Sequence, residues 1–435
     1  DKIEIREKSK YEEKIEIREK SKYEVKIEQT KPTEDKAKSE AESDADAEEE
    51  ETFEFEELEI NNNDIKLTGS ERLSQQQSNI NVIFIGHVNS GKSTTAGHLL
   101  YSSCSIDQET IEKVKERVFS SKRGSRKYAF IFDQLDKERE TGHTFDISNK
   151  KLLRSKRLFS IIDSPGHQDR ILNMIKGTSQ SDAAVVVVSS LEGEFENDIS
   201  KIGQTREMLT LAQTFGIKRI IIAVNKMDSR KVSYSKHRFD EIENKMIELM
   251  KEVGYKKNQY KIIPISGLRG DNLIHKSSNL SWWLGGTLLE NLDQLEIPTR
   301  PLNGSLRVPV QSVYREIGRS SLPCGRICSG TLKRDSKIIF VPGNKVVKVS
   351  KIKMYREEYS EGFPGNNVVI EPDRSIEVLP GQVCGEMERD PPRICEQFTC
   401  EMTILNNYED KIRSGKQQYT LCCHTSHVKC EITKI

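Results

Sequence analysis

The sequence predicts an α/β domain with a mostly parallel sheet and helices on both faces, followed by β-barrel domains. Three observations predict it. Between residues 80 and 298, short and wholly apolar runs alternate with segments of helical period. Strands without a polar face must be covered on both sides, as parallel sheets are. After the Pro-Thr-Arg-Pro stretch at 298–301 the helical period stops, and short β-type runs alternate with Gly, Pro, Asn and Asp turns, the pattern of an antiparallel barrel. The chain of 435 residues is also too long for one ordinary core, so two or three domains are expected.

Taken in order, residues 1–79 read as a charged, acidic extension without a core. The run KIEIREKSKYE occupies residues 2–12 and again 14–24. Its isoleucine pairs suit either a short strand or a single charged helix, and neither buries enough apolar surface to fold alone. Residues 40–59 carry twelve acidic side chains and no basic one. High charge with few apolar residues predicts disorder until something binds it. Order is predicted from Ile80 through residue 298: the strand NVIFIG and helix KSTTAGHLLYSS, the strand LFSIID and a helix near 168–177, the strands AAVVVVSS and KRIIIAVNK, the helix HRFDEIENKMIELMKEVG and the strand KIIPISG. The runs LRVPVQSVY, GRICSGTL, KIIFV, KVVKVSKIKMY and NNVVIEP then predict a barrel over 302–388. The segment 391–435 starts a further set of strands but is too short to close a barrel, so it reads as an incomplete third β domain.

Bulk properties narrow the function classes. Lysine plus arginine and aspartate plus glutamate number 68 each, but residues 1–60 hold 12 basic against 23 acidic groups, leaving a basic body of 56 against 45. Such a body is compatible with a nucleic-acid partner. The nine cysteines contain no CxxC pair, which fits neither a zinc ribbon nor a disulfide scaffold and suits reduced thiols in a cytosolic protein. No apolar stretch approaches the roughly 20 residues needed to cross a bilayer. The N-terminus is charged from its first residue, so no secretory signal is visible. A soluble, cytoplasmic monomer without membrane contact is expected.

The chemistry concentrates where apolar runs end. NVIFIG runs into Gly86, His87, Val88, Asn89, Ser90, Gly91, Lys92 and Ser93, followed by a helical segment. This is the GxxxxGK[ST] phosphate-binding loop in its strand–loop–helix setting. Backbone N–H groups converge on phosphates, Lys92 reaches the β and γ oxygens, and the Ser93 hydroxyl ligates Mg²⁺. Asn225, Lys226, Met227 and Asp228 follow the strand RIIIAV. An aspartate there accepts from the guanine N1–H and exocyclic amine together, so GTP and GDP are the expected nucleotides. Ser266, Gly267 and Leu268 fall where a second loop touches the guanine ring. In FSIIDSPGHQD, Asp163 is placed to hold Mg²⁺ and Gly166 to offer its N–H to a γ-phosphate. His167 points to where an attacking water enters in line, and is the candidate catalytic residue. Thr144 supplies a second hydroxyl for Mg²⁺.

Together these motifs resemble the translational GTPases, and within them the elongation factor 1-alpha group. The resemblance covers about residues 80–435 and includes NMIKGTSQSD, GEFE with ISKIGQTRE, PISGLRGDNL and CHTSHVKC. It implies a P-loop GTPase domain followed by two β-barrels, GTP hydrolysis with Mg²⁺, and delivery of aminoacyl-tRNA to the ribosomal A site. It further implies the ribosome and tRNA as partners, with a guanine-nucleotide exchange factor as a further one. Two alternatives stay open: a release- or rescue-type GTPase carrying a tRNA-mimicking protein, and a GTP-bound scaffold that no longer cycles. The departures are Asn89 where the family has Asp, Ser164 where it has Cys or Ala, and His143 in place of the isoleucine that screens the catalytic histidine. Gln168, Asp169 and Arg170 also follow His167 where the elongation factors have Arg-Asp-Phe. These changes bear on cognate tRNA delivery rather than on nucleotide binding.

Overall fold

A computed structural model describes residues 3–4, 14–15, 22–27, 78–103, 128–132, 148–154, 157–166, 171–200, 203–315, 321–355, 357–402 and 417–434. The chain opens with three strands, β1 (Ile3–Glu4), β2 (Lys14–Ile15) and β3 (Lys22–Ile27). The central sheet follows: β4 (Ile80–Ile85), β5 (Ser148–Arg154), β6 (Arg157–Asp163), β7 (Ala183–Ser189), β8 (Arg219–Asn225) and β9 (Tyr260–Pro264). Its strand order is β5-β6-β4-β7-β8-β9, parallel throughout except for the β5–β6 edge pair.

The helices are α1 (Lys92–Ser102), α2 (Ile171–Ser179), α3 (Glu194–Ile199), α4 (Gln204–Thr214), α5 (Lys236–Val253) and α6 (Leu288–Asp293). They cover both faces, and the alternation of β4 shows why the run is apolar apart from Asn81. Ile80, Val82 and Phe84 pack with Leu99 and Leu100 of α1 and Leu288 and Leu292 of α6. Ile83 and Ile85 face the opposite core with Leu209 of α4 and Met246 and Leu249 of α5. Each such side chain, fully buried, contributes about 1.5–3 kcal/mol. The helix ends follow local chemistry. Ser235 caps α5 by accepting from Arg238 N, and Gly254 ends it at φ 102°. Thr287 and Glu290 form a capping box on α6. The helix predicted near 168–177 is seen as α2.

The barrel strands are β10 (Val308–Arg315), β11 (Ser321–Arg326), β12 (Leu332–Lys333), β13 (Lys337–Val341), β14 (Lys345–Met354), β15 (Glu357–Tyr359), β16 (Glu361–Gly362), β17 (Asn367–Pro372) and β18 (Val383–Glu386). Six of them close a ring in the order β13-β18-β10-β11-β17-β14, with β14 pairing back to β13. Every pairing in the ring is antiparallel, and Val308, Phe340, Val349, Ile352 and Ile370 fill it. The barrel docks on the amino end of the central sheet. Asp182 there meets Arg300 at 2.9 Å and Arg326, while the side-chain amides of Asn79 and Asn81 donate to Gly365 O at 2.9 and 2.8 Å.

The last sheet holds β19 (Gln397–Glu401), β20 (Gln418–Cys423) and β21 (Ser426–Lys434). Its order is β19-β3-β21-β20. Within residues 1–79 the described strands are Ile3–Glu4, Lys14–Ile15 and Lys22–Ile27; the rest of that extension up to residue 77 lies outside the described residues. Ile3 pairs with Ile15, so the short-strand alternative describes those two runs. Lys22–Ile27 lies antiparallel between β19 and β21, with Val25 opposite Phe398 on one side and Ile432 on the other. The sequence KYEVKI alternates charged and apolar residues, which suits a strand. Insertion between two strand edges also satisfies backbone groups that β19 and β21 do not offer each other.

Candidate functional site

The carboxyl ends of β4, β6, β8 and the loop after β9 converge on one site. After β4 the chain turns through Gly86 at φ 143°, and a Cβ there would stand 2.2 Å from Val187 O, so the turn requires glycine. Asn89 and Gly91 also take positive φ, 60° and 93°. Gly91 then opens α1 with no side-chain cap, which leaves the first-turn N–H groups and the positive helix end directed at the space above the loop. Asn89, one of the departures, thus occupies a left-handed position that asparagine tolerates well.

Lys92 is buried, and its Nζ donates to His87 O at 2.7 Å. Burial lowers its pKa to about 8, while Asp163 and Asp198 work to raise it. A bound phosphate would favour the charged form further. Ser93 Oγ donates to Asp163 Oδ2 at 2.6 Å. The hydroxyl and carboxylate are hard oxygen donors, the kind Mg²⁺ takes, so this pair fits the expected metal. The third expected donor, Thr144, and the candidate catalytic His167 lie outside the described residues, as does His143. Gly166 is described, and a Cβ on it would meet Lys92 Nζ at 2.3 Å and Val88 N at 3.0 Å. The backbone at Gly166 therefore lies against the phosphate loop, and a side chain there would displace the Lys92 ammonium. Ser164, another departure, is buried and donates to Phe84 O at 2.7 Å, pinning this turn to the end of β4.

The base end is tied to the phosphate end by one side chain. Asn225 Nδ2 donates to Ser90 O at 2.8 Å, and its Oδ1 accepts from Gly267 N at 2.7 Å. Lys226 follows at φ 62° and pairs with Glu194 at 2.7 Å. Met227 is fully buried, and its N–H donates to Ile265 O at 3.3 Å. Asp228 stands at the rim, 3.9 Å from Arg269. Ser266 Oγ accepts from Arg269 N at 3.0 Å. Gly267 has no room for a Cβ, which would stand 2.3 Å from Thr95 Oγ1, and Leu268 completes the turn, half-buried. The phosphate loop, Asp163, Gly166, the 225–228 stretch and the 266–268 stretch are thus gathered at one edge.

Three side chains were missed by sequence reasoning. His98 of α1 donates from Nδ1 to Gly267 O at 2.8 Å and stacks on Tyr128 with ring centroids 3.8 Å apart. Glu194 and Asp198 sit behind the loop, in a run of acidic residues that reads from sequence as a solvated face. A histidine inside a buried helix gives no signal of its own, and the GEFE run marks the resemblance without showing what its acids touch.

Residues 77–298 match the family described as "Elongation factor Tu GTP binding domain". The chain is 43% identical over 367 residues to "Elongation factor 1-alpha" of Blastocystis hominis, covering 83% of this chain and 84% of the relative. The protein of the same name from Aureobasidium pullulans is 41% identical over 376 residues, covering 83% and 81%. This chain belongs to the elongation factor 1-alpha family of translational GTPases. The fold agrees with that of the Saccharomyces cerevisiae Ski7 GTPase-like domain, with a TM-score of 0.61 at 20% identity over 74% of this chain and 78% of that one. As a translational GTPase, the chain has a GTP-binding domain, and the loops described above lie at the edge where open α/β sheets bind ligands. Among the described residues no helix is long and apolar enough to cross a membrane.

Proposed function

We propose that this translational GTPase binds GTP with Mg²⁺, hydrolyses it to GDP and phosphate, and delivers aminoacyl-tRNA to the ribosomal A site. The observation that carries the nucleotide part is the Asn225 bridge. One buried amide fixes the phosphate loop to the base loop, so both ends of a nucleotide meet a single rigid frame. Asp228 lies three residues further on, where paired acceptors select guanine.

In this reading Gly86, His87, Val88, Asn89, Ser90, Gly91 and Lys92 hold the phosphates through backbone N–H groups and the Lys92 ammonium. Ser93, Thr144 and Asp163 hold Mg²⁺, which when bound neutralises charge on the β and γ oxygens. Gly166 presents its N–H toward the γ position, and His167 orients the attacking water and stabilises developing charge. Ser266, Gly267 and Leu268 line the base. The ribosome and tRNA are the partners, a guanine-nucleotide exchange factor reloads the site, and the protein works as a cytoplasmic monomer.

Two measurements test this. Asp228→Asn loses GTP affinity by about 10-fold or more and gains affinity for a xanthine nucleotide, because an unpaired buried group costs about 1–3 kcal/mol; unchanged GTP affinity in competition overturns the guanine assignment. GTP turnover is then measured with ribosomes, with and without aminoacyl-tRNA. Stimulation that needs aminoacyl-tRNA supports delivery. Stimulation without it assigns a protein cargo, and no stimulation assigns a non-cycling scaffold.

A further inference from the structure

Asp198 is a carboxylate that the proposed reaction does not use. It lies near the end of α3 and is 3% exposed. Its Oδ1 is 3.2 Å from His87 Nδ1, and the same ring nitrogen is 2.9 Å from Val88 O. His87 is the second residue of the phosphate loop, and its carbonyl accepts from Lys92. Asp198 therefore stands directly behind the loop that faces the phosphates.

The other acids of α3 have different work. Glu194 pairs with Lys226, and Glu196 accepts from Gly193 N and Arg238. Gly203 closes the chain over the helix end so tightly that a Cβ would stand 2.2 Å from Asp198 O, which holds this end of the helix in place. The charged groups facing the Asp198 carboxylate are His87, Glu194, Lys92 and Lys226. Burial raises its pKa to about 6; Glu194 adds to that, and His87, Lys92 and Lys226 oppose it.

We propose that Asp198 is a release element, a negative charge behind the phosphate loop that loosens the grip on GDP and makes that grip depend on pH. The inference rests on the nucleotide site described above. A buried anion there opposes the anionic phosphates through a medium that screens poorly. It also draws on the positive charge of Lys92 that would otherwise serve the ligand. Bound phosphates in turn favour the protonated carboxyl, so by linkage the nucleotide binds more tightly when Asp198 is neutral. The extra affinity is fully present below the pKa of the nucleotide-free site and is lost as pH rises through the higher value of the loaded one. Near pH 7.5 the carboxylate is charged in the free protein and release is fast.

The test is the rate at which a fluorescent GDP analogue leaves the full-length protein at fixed Mg²⁺, chased with excess GDP, from pH 5 to pH 8. Parent, Asp198→Asn and Asp198→Ser are compared. At pH 8 both variants should release about 10-fold more slowly than the parent, a difference of about 1.4 kcal/mol, and the gap should close toward pH 5. Equal rates at pH 8, or a ratio that stays constant with pH, overturn the proposal, because a merely structural role for Asp198 would not follow its titration. Should both variants fail to fold, a parent release rate that does not change between pH 5 and 8 overturns it as well. A parent that binds no GDP at any pH overturns the nucleotide site itself, an outcome distinct from bound GDP with unchanged release.

Discussion

At the amino end of β7, Asp182 is buried between Arg300 and Arg326 and also accepts from Asn81 N at 2.9 Å. At the carboxyl end of β6, Asp163 is buried beside Ser93 and close to Lys92. Both carboxylates lie on one sheet, and both are hidden from water. Asp182 has two guanidinium groups and a backbone donor, so its charge is neutralised within the protein. Burial works to raise its pKa, and Arg326, Arg300 and Asn81 outweigh burial and hold it below the ordinary carboxylate range. Asp163 accepts from a hydroxyl and lies near an ammonium that also donates to a loop carbonyl, beside the N-terminal end of α1. The first cluster is a clamp that joins the barrel to the sheet; the second belongs to the proposed nucleotide site. Buried charge alone does not mark a functional site. What separates the two is where the counter-charge comes from: at Asp182 it reaches across from the barrel side, and at Asp163 it comes from the phosphate loop itself.

Breaking the clamp should have the largest effect. Asp182→Ala leaves two partly buried guanidinium groups facing each other, and loss of one partner from a buried pair costs about 3–5 kcal/mol. A drop of that size in stability by urea unfolding, with GDP affinity of the folded fraction nearly unchanged, would place Asp182 on the structural side of the contrast. A large loss of affinity at constant stability would reverse it.

Asn225→Ala attacks the other end. It removes a donor and an acceptor at once, and buried groups left unmatched cost about 1–3 kcal/mol each. GDP affinity should fall by about 10²-fold, measured by equilibrium titration, with a smaller change in unfolding midpoint than Asp182→Ala gives. His167→Ala sharpens the site reading further. Ribosome-stimulated turnover should fall by about 10²-fold while GTP and GDP affinities hold, and an equal loss of both makes the residue structural.

The smallest effect concerns pH. Because the folded-state pKa of Asp182 is depressed, its contribution to stability is present above the unfolded value near 4 and is lost as pH falls through the folded value. The parent's advantage over Asp182→Asn should be level above about pH 5 and shrink below about pH 4. An advantage that persists undiminished at pH 2 would mean that the clamp acts by packing rather than by charge.

Much of this was legible in the sequence, for identifiable reasons. β4, β7 and β8 are read from almost wholly apolar runs because a strand covered on both faces admits a polar side chain only where a partner meets it, as Gly365 O meets Asn81. The phosphate loop is read because glycine positions and a Lys-Ser pair are dictated by backbone geometry, and Gly86 and Gly91 have left no space for another residue. The role of Asn225 was legible only by resemblance, and the structure supplies its reason as two hydrogen bonds to segments far apart in sequence. Pairings of that kind leave no local trace. The Asp182 clamp, the His98 stack and Asp198 behind His87 each depend on residues brought together by topology. The strand at 22–27 escaped because its charged neighbours dominate the composition, and only the edges of β19 and β21 give it a partner.

That strand changes the status of the acidic stretch at 40–59. With Lys22–Ile27 seated between β19 and β21 and Ile80 starting the central sheet, the intervening chain is anchored at both ends. It is a tether rather than a tail. Its twelve carboxylates are covalently linked to the body on both sides, so any encounter between them is intramolecular and does not weaken when the protein is diluted. Were a nucleic acid to bind the basic body, a polyanion held this way would compete with it for the same lysines and arginines. Raising the ionic strength weakens both competitors together. Cutting the tether on one side, between β3 and residue 40, would free the competitor to swing away without removing a single charge.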